Sequence, residues 1–241
     1  MSKTKSKSKN RKEITNFYEL DDMKRFMKTT INPNYNYHKI SIEMRGLLIG
    51  SSGAGKSQTV LQLLSDMPNT FNKMYIYTRA EEPLYNYLQS KIHSDLLTIS
   101  YDLNDFRKFN EKDYYGQTLI IFDDLILEKD QKCIEEMYIR GRKIGVSCLY
   151  LSQSFFKIPK TIRLQSEYIF IIKVGNLRDL NLILSEFSLG TTKQQLQNMY
   201  KYICTKGNFG DFFLIDLKTS QSSGLQYRKN FITNLNPSDF N

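Results

Sequence analysis

The stretch GSSGAGKS, residues 50–57, constrains what this chain can fold into more than any other feature. It follows the apolar run Leu47-Leu48-Ile49 and opens a helical pattern over 56–66. It meets the spacing G-x-x-x-x-G-K-[ST] at Gly50, Gly55, Lys56 and Ser57. Each residue type has a mechanical reason. Glycines accept positive φ, so backbone N–H groups from Gly50 through Ser51, Ser52, Gly53, Ala54 and Gly55 can curl around a phosphate. A helix that starts at Lys56 points its dipole, and the free N–H groups of Lys56, Ser57 and Gln58, at the same anion. Lys56 would reach the β- and γ-phosphates and the Ser57 hydroxyl would ligate magnesium. ATP and Mg2+ are therefore the expected ligands.

Such a loop needs a second carboxylate for the metal, at the end of a neighbouring buried strand. TLIIFDDL, residues 118–125, supplies it. Asp123 stands where the metal-linked Walker B acid belongs. Asp124 stands where an acid could activate water. Two aspartates after a strand can also cap a following helix, but beside this loop the catalytic reading is the stronger one. Hydrolysis is expected rather than nucleotide binding alone.

Composition sets the frame. The chain has 241 residues, 40% apolar and 24% charged, enough for one large core. No apolar stretch reaches the roughly 20 residues that span a bilayer. The N-terminal MSKTKSKSKNRK lacks the apolar core of a secretory signal. The cysteines Cys133, Cys148 and Cys204 are scattered, which suits a reducing compartment. Of the net charge of +9, six positive charges fall in residues 1–12 without an acid, leaving +3 for the rest. That tail reads as a disordered arm, either a nucleic-acid contact or import signal or a solubilising end. The expected organisation is a flexible basic segment over 1–35 and an ATPase domain over 36–241.

Beyond the loop, strand and helix patterns alternate. Nearly continuous apolar runs predict strands at 41–50, 73–79, 96–100, 118–124, 147–153, 168–174 and 211–217. Helical patterns fall at 56–66, 82–91, 130–143, 178–187 and 191–203, with partial helix over 13–35 ending in a loop through NPNYNY. Residues 218–230 read as a loop or hairpin. This order predicts an α/β fold: a doubly wound, mostly parallel sheet with helices on both faces.

Past the second acid the chain reads IRGRKIGVSCLYLSQSFFKIPKTIRLQSEYIFIIKVGNLRDL, residues 139–180. A Gly-Arg pair before a strand, a strand ending in Ser-Gln, an IPKTIR segment and another apolar strand follow in order. Over about residues 44–190 this resembles the RecA-like FtsK–HerA superfamily of DNA-pumping ATPases, and within it the poxvirus-type genome-packaging branch. The resemblance implies a ring of identical subunits that translocates double-stranded DNA into a preformed capsid, with capsid or portal-vertex partners, inside an infected cell. It implies that Gln153 senses the γ-phosphate or orients water, which an amide can do because it both donates and accepts. It implies an arginine finger acting on the neighbouring subunit from Arg178, with Arg142 and Arg163 as rivals. The branch tolerates Asp-Asp where the wider family often has Asp-Glu, so Asp124 is one methylene short of the usual base.

Packaging motors grip the DNA backbone rather than its bases. SFFKIPKTIR offers Lys157, Lys160 and Arg163 beside Phe155 and Phe156 on a lumen-facing loop; equally, the phenylalanines could be core and the cations solvated. The basic tail is a second DNA candidate. A nucleotide kinase would share the phosphate loop but need an arginine-rich lid, which the sequence lacks. A helicase-like enzyme would share both motifs, and a DNA-binding capsid scaffold could carry them as a vestigial site.

Overall fold

The computed structural model describes residues 16–26, 29–107, 116–219 and 223–241. The basic tail, residues 1–12, lies outside them. By contacts the chain divides into two compact units, Met1–Thr30 and Ile31–Asn241. The first contains a short 3-10 helix, Phe17–Glu19, capped by the Asn16 side chain, and a single helical turn, α1 (Asp21–Lys24).

The second unit is built on one nine-stranded sheet. In chain order it runs α2 (Tyr35–His38), β1 (Arg45–Ile49), α3 (Lys56–Asp66), β2 (Lys73–Thr78), α4 (Pro83–Lys91), β3 (Leu97–Ser100) and α5 (Leu103–Arg107). There follow β4 (Thr118–Asp123), α6 (Lys132–Arg140), β5 (Val146–Ser152), α7 (Lys160–Gln165), β6 (Tyr168–Ile171), α8 (Leu177–Glu186) and α9 (Lys193–Lys206). Three short strands end it: β7 (Phe213–Asp216), β8 (Tyr227–Lys229) and β9 (Thr233–Asn234). The sheet order is β3-β2-β4-β5-β1-β6-β7-β8-β9. The first six strands are parallel and β7, β8 and β9 append antiparallel. The expected fold class holds.

The strands are apolar at nearly every position because both faces are covered, and the period of two sorts their side chains between the faces. Leu48, Ile76, Ile121 and Leu151 point to one side, where Val60 and Leu63 of α3 and Tyr85 and Leu88 of α4 close over them. Leu47, Tyr77, Phe122 and Tyr150 point to the other side, covered by α5, α6, α7, α8 and α9 through residues such as Phe106, Ile134, Ile162, Ile183 and Met199.

Two sequence expectations change, and one pair of alternatives is decided. NPNYNY is not all loop: Tyr35–His38 form α2, and its His38 is buried. The cationic segment after β5 is not a plain loop either: its second half is α7, seated by buried Ile162. Within 218–230 the hairpin reading prevails, since β8 pairs with β7. The cause is common to all three. An element of three to six residues carries too little periodicity to read, yet one or two buried side chains suffice to dock it.

The parallel register positions the functional residues. Thr78 lies level with Asp123, Asp123 with Leu151, and Ile49 with Ser152. The carboxyl ends of β2, β4, β5 and β1 therefore form one edge. Residues that follow them, Arg79, Asp124, Gln153 and Gly50, emerge side by side there. An open parallel sheet binds its ligands at such an edge.

Candidate active site

The loop after β1 turns on glycines. Gly53 has φ +70° and Gly55 has φ +100°. A side chain at Gly55 would be strained by that φ, and its Cβ would lie 3.2 Å from the Cα of Gly210. Gly55 caps α3 and Lys56 is its first residue, as the spacing predicts. The Lys56 ammonium donates to the carbonyl oxygens of Gly50 at 3.1 Å and Ser51 at 3.3 Å. It is held back over the loop, where a phosphate cradled by the loop would meet it.

This loop forms one wall of a cavity of about 420 Å³. Ser52, Gly53, Gly55, Lys56, Ser57 and Gln58 line that wall. Asp123, Asp124 and Gln153 line a second, residues from Thr78 to Glu82 with Leu84 a third, and Phe209 stands at the edge. Gly50, Ser51 and Ala54 do not reach the lining. They act from behind it: two carbonyls hold Lys56, and the Ala54 N–H donates to the Ser51 carbonyl.

Asp123 ends β4 and is only 6% exposed. Its Oδ2 accepts the Tyr85 hydroxyl at 2.8 Å. Burial lifts its pKa from 3.8 to about 6, partly opposed by the Tyr85 hydrogen bond and reinforced by Glu82. Burial likewise pushes the Tyr85 hydroxyl well above its ordinary value, with Asp123 adding to the rise and Ser57 opposing it. The two expected magnesium partners, Ser57 and Asp123, thus both act on one oxygen. A buried carboxylate and a hydroxyl converging on one point fit a divalent ion that arrives with a phosphate ligand. Among the described residues no cluster of three or more His, Cys, Asp or Glu side chains forms a dedicated metal cage. Magnesium does not require one, because it keeps waters and substrate oxygens as ligands.

Asp124 has a left-handed backbone, φ +54°, which aspartate tolerates better than most residues. Successive residues of an extended strand point to opposite faces. The turn at Asp124 breaks that alternation, and both carboxylates line the same cavity. Gln153 donates from Nε2 to Asp124 Oδ2 at 2.7 Å. The other oxygen, Asp124 Oδ1, is buried and accepts no hydrogen bond from any described residue. Behind this pair, Gln131 donates to the Leu125 carbonyl and accepts the Tyr150 hydroxyl, bracing the turn.

The arginine candidates separate. Arg142 is ion-paired with Glu167 at 2.6 Å and Arg163 with Glu186 at 2.7 Å. Arg178 is exposed, lies outside the cavity lining, and stacks on the Phe156 ring at 4.7 Å. Phe155 is fully buried, whereas Lys157 and Lys160 are exposed. The sequence did not single out Tyr85, Glu82, Arg79 or Phe209. Tyr85 looks like any core residue on a helix. Phe209 carried the only usable signal, an aromatic residue set in the glycine-flanked segment GNFG.

This arrangement has relatives. The family model described as Poxvirus A32 protein matches residues 33–217. The chain belongs to that family. The A32 match spans every element from α2 to β7, and so the whole of the site. No curated protein sequence matches the chain. Among solved structures, the genome packaging NTPase B204 of Sulfolobus turreted icosahedral virus 2, in complex with AMPPCP, superposes with TM-score 0.59 at 16% identity, covering 80% of this chain and 100% of that one. The DNA-packaging ATPase B204 of Sulfolobus turreted icosahedral virus gives 0.54 at 15%, covering 80% and 99%. EssC ATPases 2 and 3 of Geobacillus thermodenitrificans give 0.56 at 11%, covering 80% of this chain but 40% of that one. At these identities the likeness establishes the fold: the A32-family chain has the P-loop architecture of these ATPases.

Proposed function

We propose that this chain is the motor subunit of a ring that hydrolyses ATP to drive viral double-stranded DNA into a preformed capsid. Its family and fold make it an ATPase of the genome-packaging type. The observation that carries the reading is the convergence of Lys56, Ser57, Asp123, Asp124 and Gln153, from the ends of three strands, on one cavity.

In this site the loop N–H groups and Lys56 hold the β- and γ-phosphates. Ser57 and Asp123 hold the magnesium ion, which when bound neutralises charge developing on the phosphate oxygens. Gln153 holds Asp124 through Oδ2, and the Asp124 carboxylate accepts a proton from the attacking water. Water oxygen bonds to the γ-phosphorus, the bridging bond to the β-phosphate breaks, and ADP leaves. Arg178 stabilises the transition state in the neighbouring subunit, a contribution worth about 10³–10⁵-fold in rate where such fingers act. Its exposure, and the ion pairs that occupy Arg142 and Arg163, support that choice. The DNA backbone is gripped either by Lys157 and Lys160 or by the basic tail, residues 1–12. The motor works inside the infected cell with capsid or portal proteins as partners. No helix among the described residues is long and apolar enough to cross a membrane.

The test is steady-state hydrolysis with and without linear duplex DNA, for wild type, Lys56→Ala and Arg178→Ala. DNA should stimulate wild type, and each variant alone should be inactive. Mixing them should restore turnover, because a Lys56→Ala subunit still presents Arg178 to an Arg178→Ala neighbour. DNA-independent hydrolysis together with a fully active Arg178→Ala would refute the ring motor.

A further inference from the structure

Phe209 is 75% exposed although it sits beside the phosphate loop. A phenyl ring left in water forgoes the favourable burial available to it, and at the rim of a ligand cavity that surface is available to the ligand. The loop that carries the ring is held in place. The loop between α9 and β7 is tied down by Asp211, whose Oδ2 accepts the Asn208 N–H at 2.8 Å and the Lys229 ammonium at 2.9 Å. Its Oδ1 accepts the Asn230 side chain at 2.7 Å. The loop also leans on the phosphate loop. The position a Cβ would take on Gly55 is 3.3 Å from the Phe209 ring, and the Thr59 hydroxyl donates to the Gly210 carbonyl at 3.5 Å.

The location identifies the partner. Asp123, Asp124 and Gln153 define the γ-phosphate end of the cavity. The chain of phosphates then follows the loop toward the first turn of α3, so the α-phosphate and nucleoside leave near Ser57 and Gln58. Gly210 lies there: a Cβ on it would be 3.6 Å from the Gln58 side chain. The exposed ring therefore stands where the base must pass.

We propose that Phe209 is the stacking platform for the nucleotide base. This role rests on the P-loop binding a nucleotide, and adds the subsite that tells a nucleotide from bare polyphosphate. Stacking reads a π-face rather than exocyclic groups. ADP and GDP should therefore bind alike, and both more tightly than UDP, whose ring offers less area.

Calorimetric titration of the full chain with ADP, UDP and tripolyphosphate tests this, using wild type, Phe209→Ala and Phe209→Trp. Loss of a base–aromatic stack should weaken ADP binding about 5- to 150-fold in Phe209→Ala. Tripolyphosphate affinity should be unchanged, the ADP-over-UDP preference should shrink, and Phe209→Trp should retain ADP binding. ADP affinity unaltered in Phe209→Ala overturns the proposal. So does an equal loss for ADP and tripolyphosphate, which would mark Phe209 as support for the loop. Wild type that binds neither ligand would instead refute the nucleotide site itself.

Discussion

Replacing Asp123 with asparagine should stabilise the nucleotide-free fold while abolishing hydrolysis. The carboxyl is buried against α3 and α4, and burial raises its pKa from 3.8 to about 6. An acid whose pKa is higher folded than unfolded holds its proton more tightly in the native state. Keeping it ionised therefore costs stability above the folded pKa, and the cost fades as pH falls toward the unfolded value. At 1.36 kcal/mol per decade the ceiling is about 3 kcal/mol at pH 7.5 and about half that at pH 5. Asparagine removes the charge and keeps an oxygen for the Tyr85 hydroxyl, but adds an N–H₂ group without an assigned partner, which costs about 1–2 kcal/mol. A net gain of about 1–2 kcal/mol corresponds to a rise in Tm of about 2–8 °C for a chain of this size. The assay is thermal unfolding of wild type and Asp123→Asn without nucleotide and with EDTA, at pH 7.5 and 5. A variant no more stable than wild type at pH 7.5, or an advantage that does not shrink at pH 5, would refute the reasoning.

Two further outcomes follow from backbone and burial. Gly55→Ala should lose nucleotide binding and about 1–3 kcal/mol of stability, because φ +100° is strained for alanine and its Cβ would press on Gly210 and Phe209; a normal Tm with normal ADP affinity would contradict this. His38 should make the fold acid-sensitive: burial, then the nearby Arg228, lowers its pKa from 6.5 to about 4, so its contribution is intact above 6.5 and is lost as pH falls toward 4. The ceiling is about 3 kcal/mol. His38→Asn, which can still accept the Ile40 N–H that His38 Nδ1 takes at 2.9 Å, should flatten urea-unfolding midpoints between pH 7.5 and 4.5. His38 and Asp123 act oppositely in this window, so Asp123→Asn should steepen the acid loss.

What was legible in the sequence followed from local rules. The parallel strands announced themselves because a strand covered on both faces must be apolar throughout. The phosphate loop was legible because its geometry admits few residues at Gly55 and Lys56. The rest depends on contacts distant in sequence. Tyr85 meets Asp123 from 38 residues away, and nothing in α4 distinguishes it from Leu88. The α9–β7 loop reaches α3 across 151 residues, through Thr59 and Gly210. The cationic stretch 157–163 was ambiguous because charge alone does not say which cation is occupied. Packing divides them: Arg163 pairs with Glu186 over the buried Phe155 ring, while Lys157 and Lys160 stay in solvent.

The site also holds several groups at a cost. Asp123 is ionised at neutral pH in a buried position, Asp124 occupies a left-handed conformation, and Asp124 Oδ1 is buried with no donor among the described residues. On the proposed reading, the cation that arrives with the nucleotide relieves the cost at Asp123, because an opposite charge beside a buried carboxylate favours its charged form. The left-handed turn is what brings the Asp124 carboxylate into the same cavity as Asp123. None of these arrangements has to be made when the nucleotide arrives, because each is already present in the free protein, so the binding free energy is not spent on them. Asparagine at 123 or glycine at 124 would relax the free site and forgo that advantage. The same groups explain why this edge of the sheet is less stable than its core could make it, and why it suits a charged ligand.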